Sequence, residues 1–120
     1  MAQHNQFGKK GEQLAIDFLK KKDYSILAAN WRFQRFEIDI IAETDSEIIF
    51  VEVKSRGMSY FGSPEEFLSR GQQKRIVEAA QQYIEQNDID KEARFDVISV
   101  IRENGQLIAE HIDSAFSAFD

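Results

Sequence analysis

The chain has 120 residues, 42% of them hydrophobic, with ten Phe, six Gly, one Pro and no Cys. That is enough for one domain with a real core, spanning 1–120, and it leaves no place for a long flexible linker. The formal net charge of −6 excludes a protein that coats nucleic acid by charge alone. The lack of Cys excludes disulfides and thiolate zinc sites, and no apolar run approaches the ~20 residues that cross a bilayer.

The opening "MAQHNQFGKKGEQ" has no apolar core of the kind a signal peptide carries, and residues 1–6 read as a frayed end. With no Cys to protect, the chain fits a reducing, cytoplasmic setting. In "FGKKGEQLAIDFLKKKDY", Phe7, Gly11, Leu14, Ala15, Phe18 and Leu19 recur at helical spacing, which predicts an amphipathic helix with Glu12 at the edge of its apolar stripe. "YSILAANWRF" reads as a first strand. "FEIDIIA" then alternates, placing Phe36, Ile38, Ile40 and Ala42 on one face and Glu37, Asp39 and Ile41 on the other. "ETDSE" is turn chemistry, so "EIIFVEVKS" should complete an antiparallel hairpin.

In this last strand Ile48 and Phe50 share a face with Glu52 and Lys54, while Ile49, Val51 and Val53 line the other, as in a strand covered on both sides. Ser63-Pro64-Glu65 reads as the start of a long helix that runs to about Asn87, with Ile76, Ala79, Ala80, Tyr83 and Ile84 as its buried stripe. "RFDVISVI" is another strand, and "GQLIAEHI" a last one, hairpinned through Glu103-Asn104-Gly105. The order α-β-β-β-α-β-β predicts an α/β domain: a mixed sheet with helices packed on it.

Asp39, followed thirteen and fifteen residues later by Glu52 and Lys54, forms a D-x(12)-E-x-K pattern. Two carboxylates converging near the end of a strand make an oxygen-rich site for a hard cation such as Mg²⁺. A Lys two residues on shares the face of Glu52, where it could orient a water or offset charge building on a phosphate. The competing reading makes Glu52 and Lys54 an ion pair where the strand emerges into solvent, and Glu37 and Asp39 the wet face of an edge strand. Short motifs arise by chance, and the pattern alone leaves both readings open. The surrounding stretch from Ile48 to Arg75 holds five basic residues against three acidic ones, a local excess suited to a phosphate-facing surface.

The strings "ExxAxxFLxxxxYxIlxxNWR", "EIDIIA", "FVEVKSR", "FGSP", "AAxxYI", "RFDVISV" and "HIDSAF", in this order from about Phe7 to Phe116, resemble the YraN family of small bacterial proteins. That family is assigned to the restriction-endonuclease-like PD-(D/E)xK superfamily, which also holds the archaeal Holliday-junction resolvases. The resemblance implies a restriction-endonuclease-like fold and a catalytic set of Glu12, Asp39, Glu52 and Lys54. It implies Mg²⁺ or Mn²⁺ held by Asp39, Glu52 and Glu12, with Glu37 a neighbour on the same face. Two positions depart from the pattern. Phe36 stands where members commonly carry Gly, and Gln72 stands where they carry Lys at the start of the long helix.

Two functions follow as expectations. The first is a metal-dependent nuclease acting on DNA, branched or processed structures included. The alternative is a non-catalytic nucleic-acid-binding or adaptor domain that retains the fold. Either way the acidic balance predicts weak, salt-sensitive DNA binding, with Glu37, Arg56, Gln72 and Lys74 as supporting or contact residues. Related nucleases that cut in pairs imply a homodimer by analogy. Other features read as structural. His4 and His111 lack metal-ligand spacing and read as surface residues. Trp31, Phe33 and Phe36 read as one core face. Arg32 and Arg35 could contact phosphates, though solvated strand and turn positions favour Arg anyway, and Asp96 reads as structural, as a cap or a partner of Arg94.

Overall fold

The structure, a computed structural model, describes residues 2–56 and 68–118, with side chains described for 8–55 and 68–118. Its elements are α1 (Ala2–Lys21), β1 (Ser25–Phe33), β2 (Phe36–Glu43), β3 (Glu47–Arg56), α2 (Arg70–Gln86), β4 (Glu92–Glu103) and β5 (Gln106–Phe116). This is the order the sequence predicts. α1 begins at Ala2, ahead of the Phe7 at which the apolar pattern starts and within the stretch expected to fray. Among the described residues no helix is long and apolar enough to cross a membrane.

The strands form one mixed sheet in the order β1-β2-β3-β4-β5, antiparallel throughout except for the parallel pair β3–β4. A parallel pair needs a long crossover, and α2 lies within it. The two helices cover opposite faces. Ala15 and Leu19 of α1 pack on Ile40, Ile49, Val51, Ile98 and Val100. Ile76, Ala79, Ala80 and Tyr83 of α2 pack on Ile38, Ile41, Ile48, Phe50, Phe95 and Val97. β3 is therefore apolar on both sides because both sides are covered, as its sequence implies.

In β2 the expected alternation fails. Ile38 and Ile41 both face α2, while Ile40 faces α1. The cause stands on the neighbouring strand. Asn30, between the pairs Ala29↔Ile40 and Trp31↔Ile38, has φ 53, a left-handed conformation inside a strand. Asn tolerates that region better than most residues, but a run of ordinary β residues cannot pass through it without changing phase. Asp39 sits opposite this irregularity.

Three further local features set the frame. The β4–β5 hairpin turns through Asn104 (φ 51) and Gly105 (φ 77), the positive pair a two-residue type I′ turn requires. α2 starts later than Ser63-Pro64 implies. Its N-cap is Ser69, whose hydroxyl accepts from Gln72 N at 3.1 Å while Gln72 Oε1 accepts from Ser69 N at 3.0 Å. The expected Ser63-Pro64-Glu65 start lies outside the described residues. On α1, Gly11 is buried where a Cβ would collide with Ser55 Oγ of β3, so glycine lets the helix lie close to the sheet beside Glu12.

Candidate functional site

The β2–β3 ladder runs from Glu43↔Ile48 to Ile40↔Val51 and stops there. One step further the two strands diverge, and the backbone N–H of Val53 donates to Asp39 Oδ2 at 2.8 Å. A buried backbone donor that has lost its ladder partner must find another acceptor, and the carboxylate in the fork supplies it. The Asp39 carboxyl also lies close to that of Glu52 across the same fork, near enough for Glu52 to raise its pKa. The two acids do not share one strand face, as a regular hairpin would have it. Asp39 opens into a cleft of about 820 Å³ on the α1 side with Lys9, Glu12 and Asn30. Glu52 opens into a smaller one of about 140 Å³ on the α2 side with Glu37, Gln72 and Arg75. They meet through the gap between the strands.

Burial and then the adjacent Glu52 charge push the Asp39 carboxyl up to about 8, against which the Val53 N–H works only in part. Two carboxyl groups in contact cannot both ionise cheaply, so one keeps its proton. Glu12 is also raised. Partial burial is the main cause, Asp39 and Glu37 add repulsion, and the bond from Asn30 Nδ2 to Glu12 Oε1, at 2.6 Å, opposes them. α1 thus brings Glu12 to the Asp39 side of the fork, and Asn30 holds it there.

Lys54 Nζ lies 3.4 Å from Glu52 Oε2, with side-chain exposures of 22% and 18%. This is the ion pair of the competing reading, but it is mostly buried rather than emerging into solvent. Holding two charges there costs desolvation that a surface pair avoids. Beside it, Ser99 stands opposite Lys54 in the parallel register, and its buried Oγ has no hydrogen-bond partner among the described residues. An orphaned buried hydroxyl on the strand paired with Lys54 is a position for a water or a ligand oxygen.

Among the described residues no group of three His, Cys, Asp or Glu is close enough to hold a metal ion. Asp39 and Glu52 come together, while Glu12 is drawn to Asn30, so the expected set of three carboxylates is a contacting pair with a third acid nearby. The donor chemistry still suits a divalent cation. A proton-sharing acid pair relaxes when a cation replaces the proton, and hard oxygen ligands favour Mg²⁺ or Mn²⁺.

The supporting residues divide. Glu37 joins the acidic group through its field on Asp39 and Glu12, and pairs with Arg32 at 3.3 Å. Gln72 lines the smaller cleft, but its side-chain oxygen is committed to the α2 cap. Lys74 is exposed and lines neither cleft; its neighbour Arg75 does. Arg56 ends β3, and its side chain is outside those described. Phe36, where the resemblance leads one to expect Gly, has no positive φ and packs against the α2-side core.

Sequence reasoning missed Asn30 and a buried network around His111, and it counted Arg75 only as one of the basic residues between Ile48 and Arg75. His111 is not a surface residue: its side chain is 4% exposed, and Nε2 lies 2.7 Å from Oδ2 of the fully buried Asp96. Arg94 grips both oxygens of Asp96, at 2.9 and 2.7 Å, and reaches Glu47 at 3.0 Å and Tyr24 Oη at 2.6 Å. Burial alone would raise Asp96, but bonds from His111, Arg94 and Ser114 N outweigh it and hold the carboxyl below its usual range. Lys22 Nζ, in the turn just after α1, is 3.0 Å from His111 Nδ1, and the Phe18 ring of α1 also meets the imidazole edge-on. The network ties β4, β5 and α1 together, as the reading of Asp96 with Arg94 anticipated in part.

The profile of "Uncharacterised protein family UPF0102" matches residues 11–100. A UPF0102 protein of Flavobacterium psychrophilum is 46% identical over 119 residues, covering 99% of this chain and 100% of the relative. One of Christiangramia forsetii is 43% identical over 119 residues with the same coverage. One of Bacteroides thetaiotaomicron is 44% identical over 116 residues, covering 97% of this chain and 96% of the relative. The match takes in α1, the fork and most of the sheet, and on it the chain belongs to the UPF0102, or YraN, family.

Proposed function

We propose that this protein is a divalent-metal-dependent nuclease of the PD-(D/E)xK kind, hydrolysing phosphodiester bonds in DNA, branched or processed structures included. The observation that supports it best is the contact of the Asp39 and Glu52 carboxyls in the strand fork, with Lys54 3.4 Å from Glu52. In this reading Asp39 and Glu52 hold Mg²⁺ or Mn²⁺. The cation would supply a Lewis acid for the phosphodiester and lower the pKa of the attacking water. Lys54 places an ammonium where charge gathers on the phosphoryl oxygens. Glu12, more basic than an ordinary glutamate, takes the proton of the attacking water. Partial burial of Lys54 and Glu52 strengthens each of these interactions over its value in water.

The adaptor reading has one observation of its own: Glu12 is committed to a hydrogen bond from Asn30. Incubating the protein with single-stranded, duplex, flapped and four-way-junction DNA, in Mg²⁺ and in Mn²⁺, separates the two. The nuclease reading expects cleavage by wild type and none by Asp39→Asn. A wild type that binds these DNAs and cuts none of them establishes the adaptor.

A further inference from the structure

A nuclease needs a grip on the backbone as well as a reacting centre, and the smaller cleft offers one. Its walls include both Arg35, from the two-residue turn between β1 and β2, and Arg75 of α2, along with Glu37, Glu52, Phe36 and Ile76. Both arginines are exposed. Neither makes a hydrogen bond or ion pair among the described residues, whereas Arg32 and Arg94 are each paired. The carboxylates in the cleft do not occupy them either, since Glu37 pairs with Arg32 and Glu52 with Lys54. The Arg75 guanidinium folds back over the first turn of α2, where a Cβ on Gly71 would stand 3.9 Å from it. That turn has no acidic residue, and the helix dipole adds partial positive charge there.

Two guanidinium forks facing one cavity without carboxylate partners suit a phosphate, which each can bind bidentately. The cavity, about 140 Å³, has room for roughly five waters at ~30 Å³ each, which is the scale of one hydrated phosphate group. Glu52 lies in the same wall, so a phosphate held here sits beside the fork.

We propose that Arg35 and Arg75 form a phosphate clamp that holds the backbone of a nucleic-acid strand next to the Asp39–Glu52 pair. The clamp rests on the nuclease reading for its neighbour, but not for its test. It reads no bases, so it fixes the strand without regard to sequence. In an acidic chain it also confines phosphate affinity to one place, in contrast to a basic coat.

The test is fluorescence anisotropy of a labelled single-stranded oligonucleotide without divalent metal, over a series of salt concentrations. Wild type, Arg35→Ala/Arg75→Ala and Lys74→Ala are compared, and circular dichroism checks that each is folded. Each phosphate contact contributes about 0.7 to the slope of log affinity on log salt for single strands, so the double variant should lose roughly 1.4 if each arginine makes one such contact. Lys74→Ala, which lies off the cleft, should keep the wild-type slope. The loss should be equal for oligonucleotides of different sequence. A double variant with the wild-type slope refutes the clamp and leaves the nuclease reading standing. Equal losses in Lys74→Ala refute it too, since they mean diffuse attraction. A wild type that binds no oligonucleotide refutes the clamp and the nucleic-acid reading together.

Discussion

If the acid pair in the fork is a metal site, its binding must expel a proton. The Asp39 carboxyl, pushed up to about 8 by burial and by Glu52, is about 90% protonated near pH 7. Metal entry should therefore release about 0.9 proton there, falling to about 0.1 near pH 9. Apparent affinity should rise roughly 50-fold between about pH 6 and about pH 8 and then flatten, at ~1.4 kcal/mol for each unit of pKa that the cation must overcome. Calorimetric titration of Mg²⁺ or Mn²⁺ in buffers of different ionisation enthalpy reads the proton count directly, and Asp39→Asn should abolish both proton and binding. The metal-free fold carries the opposite linkage. A carboxyl with a raised folded pKa contributes stability that is complete below its ordinary range near 3.8 and is lost as pH rises toward 8. Wild type should thus lose ~1–3 kcal/mol relative to Asp39→Asn in urea unfolding between about pH 5 and about pH 9. Metal binding that releases no proton near pH 7, at an affinity unchanged across this window, would refute the description of the fork.

Lys54→Ala should lower cleavage on the order of 10²–10³-fold while leaving Mg²⁺ bound, and Lys54→Arg should restore it only in part; a single-turnover assay checks both. Asp96→Ala should cost ~3–5 kcal/mol by leaving the Arg94 charge buried without its partner, measured by urea unfolding. Because Asp96 is held below its usual range, its stabilisation is present above that range and is lost as pH falls through the depressed value, so this variant should show a weaker acid transition than wild type. Gly11→Ala should destabilise by ~1–2 kcal/mol despite the better helix propensity of Ala, because the new Cβ meets Ser55 Oγ. Ser55→Ala in the same chain should recover most of that loss in a double-mutant cycle.

The sequence displays some of this plainly and hides the rest for identifiable reasons. β3 is legible because its two apolar faces are both covered, so each residue from Ile48 to Val51 reports its side. Tyr83 and the Ala79-Ala80 step likewise mark the inner face of α2. The phase of β2 is hidden because it depends on the left-handed Asn30 of another strand, and no local pattern in "FEIDIIA" records that. The same irregularity turns Asp39 into the fork, so the pairing of Asp39 with Glu52 could be anticipated but not its route between the strands. His111 was out of reach for a different reason. It meets Asp96 only through the β4–β5 register, in which Ile98 lies opposite His111 and a shift follows toward Phe95. Ser63-Pro64 outcompetes Ser69 as a helix start because proline at the first turn is the stronger local signal, while the Ser69–Gln72 capping box is carried by a Gln expected to serve elsewhere.

Asn30 has one more effect, on how the molecule can meet another chain. β1 and β5 are the two margins of the sheet, and each offers a row of outward backbone groups to an arriving strand. On β1 that row is broken twice in nine residues, by the register shift between Ile26 and Ala28 and by the left-handed Asn30. On β5 it stays regular until Ser114, with φ 50. A second copy or an extended peptide that joins by strand addition therefore finds its template along β5. That margin lies across the sheet from β2, so such an assembly would grow away from the cleft of Glu12 and Asp39 and leave its mouth open.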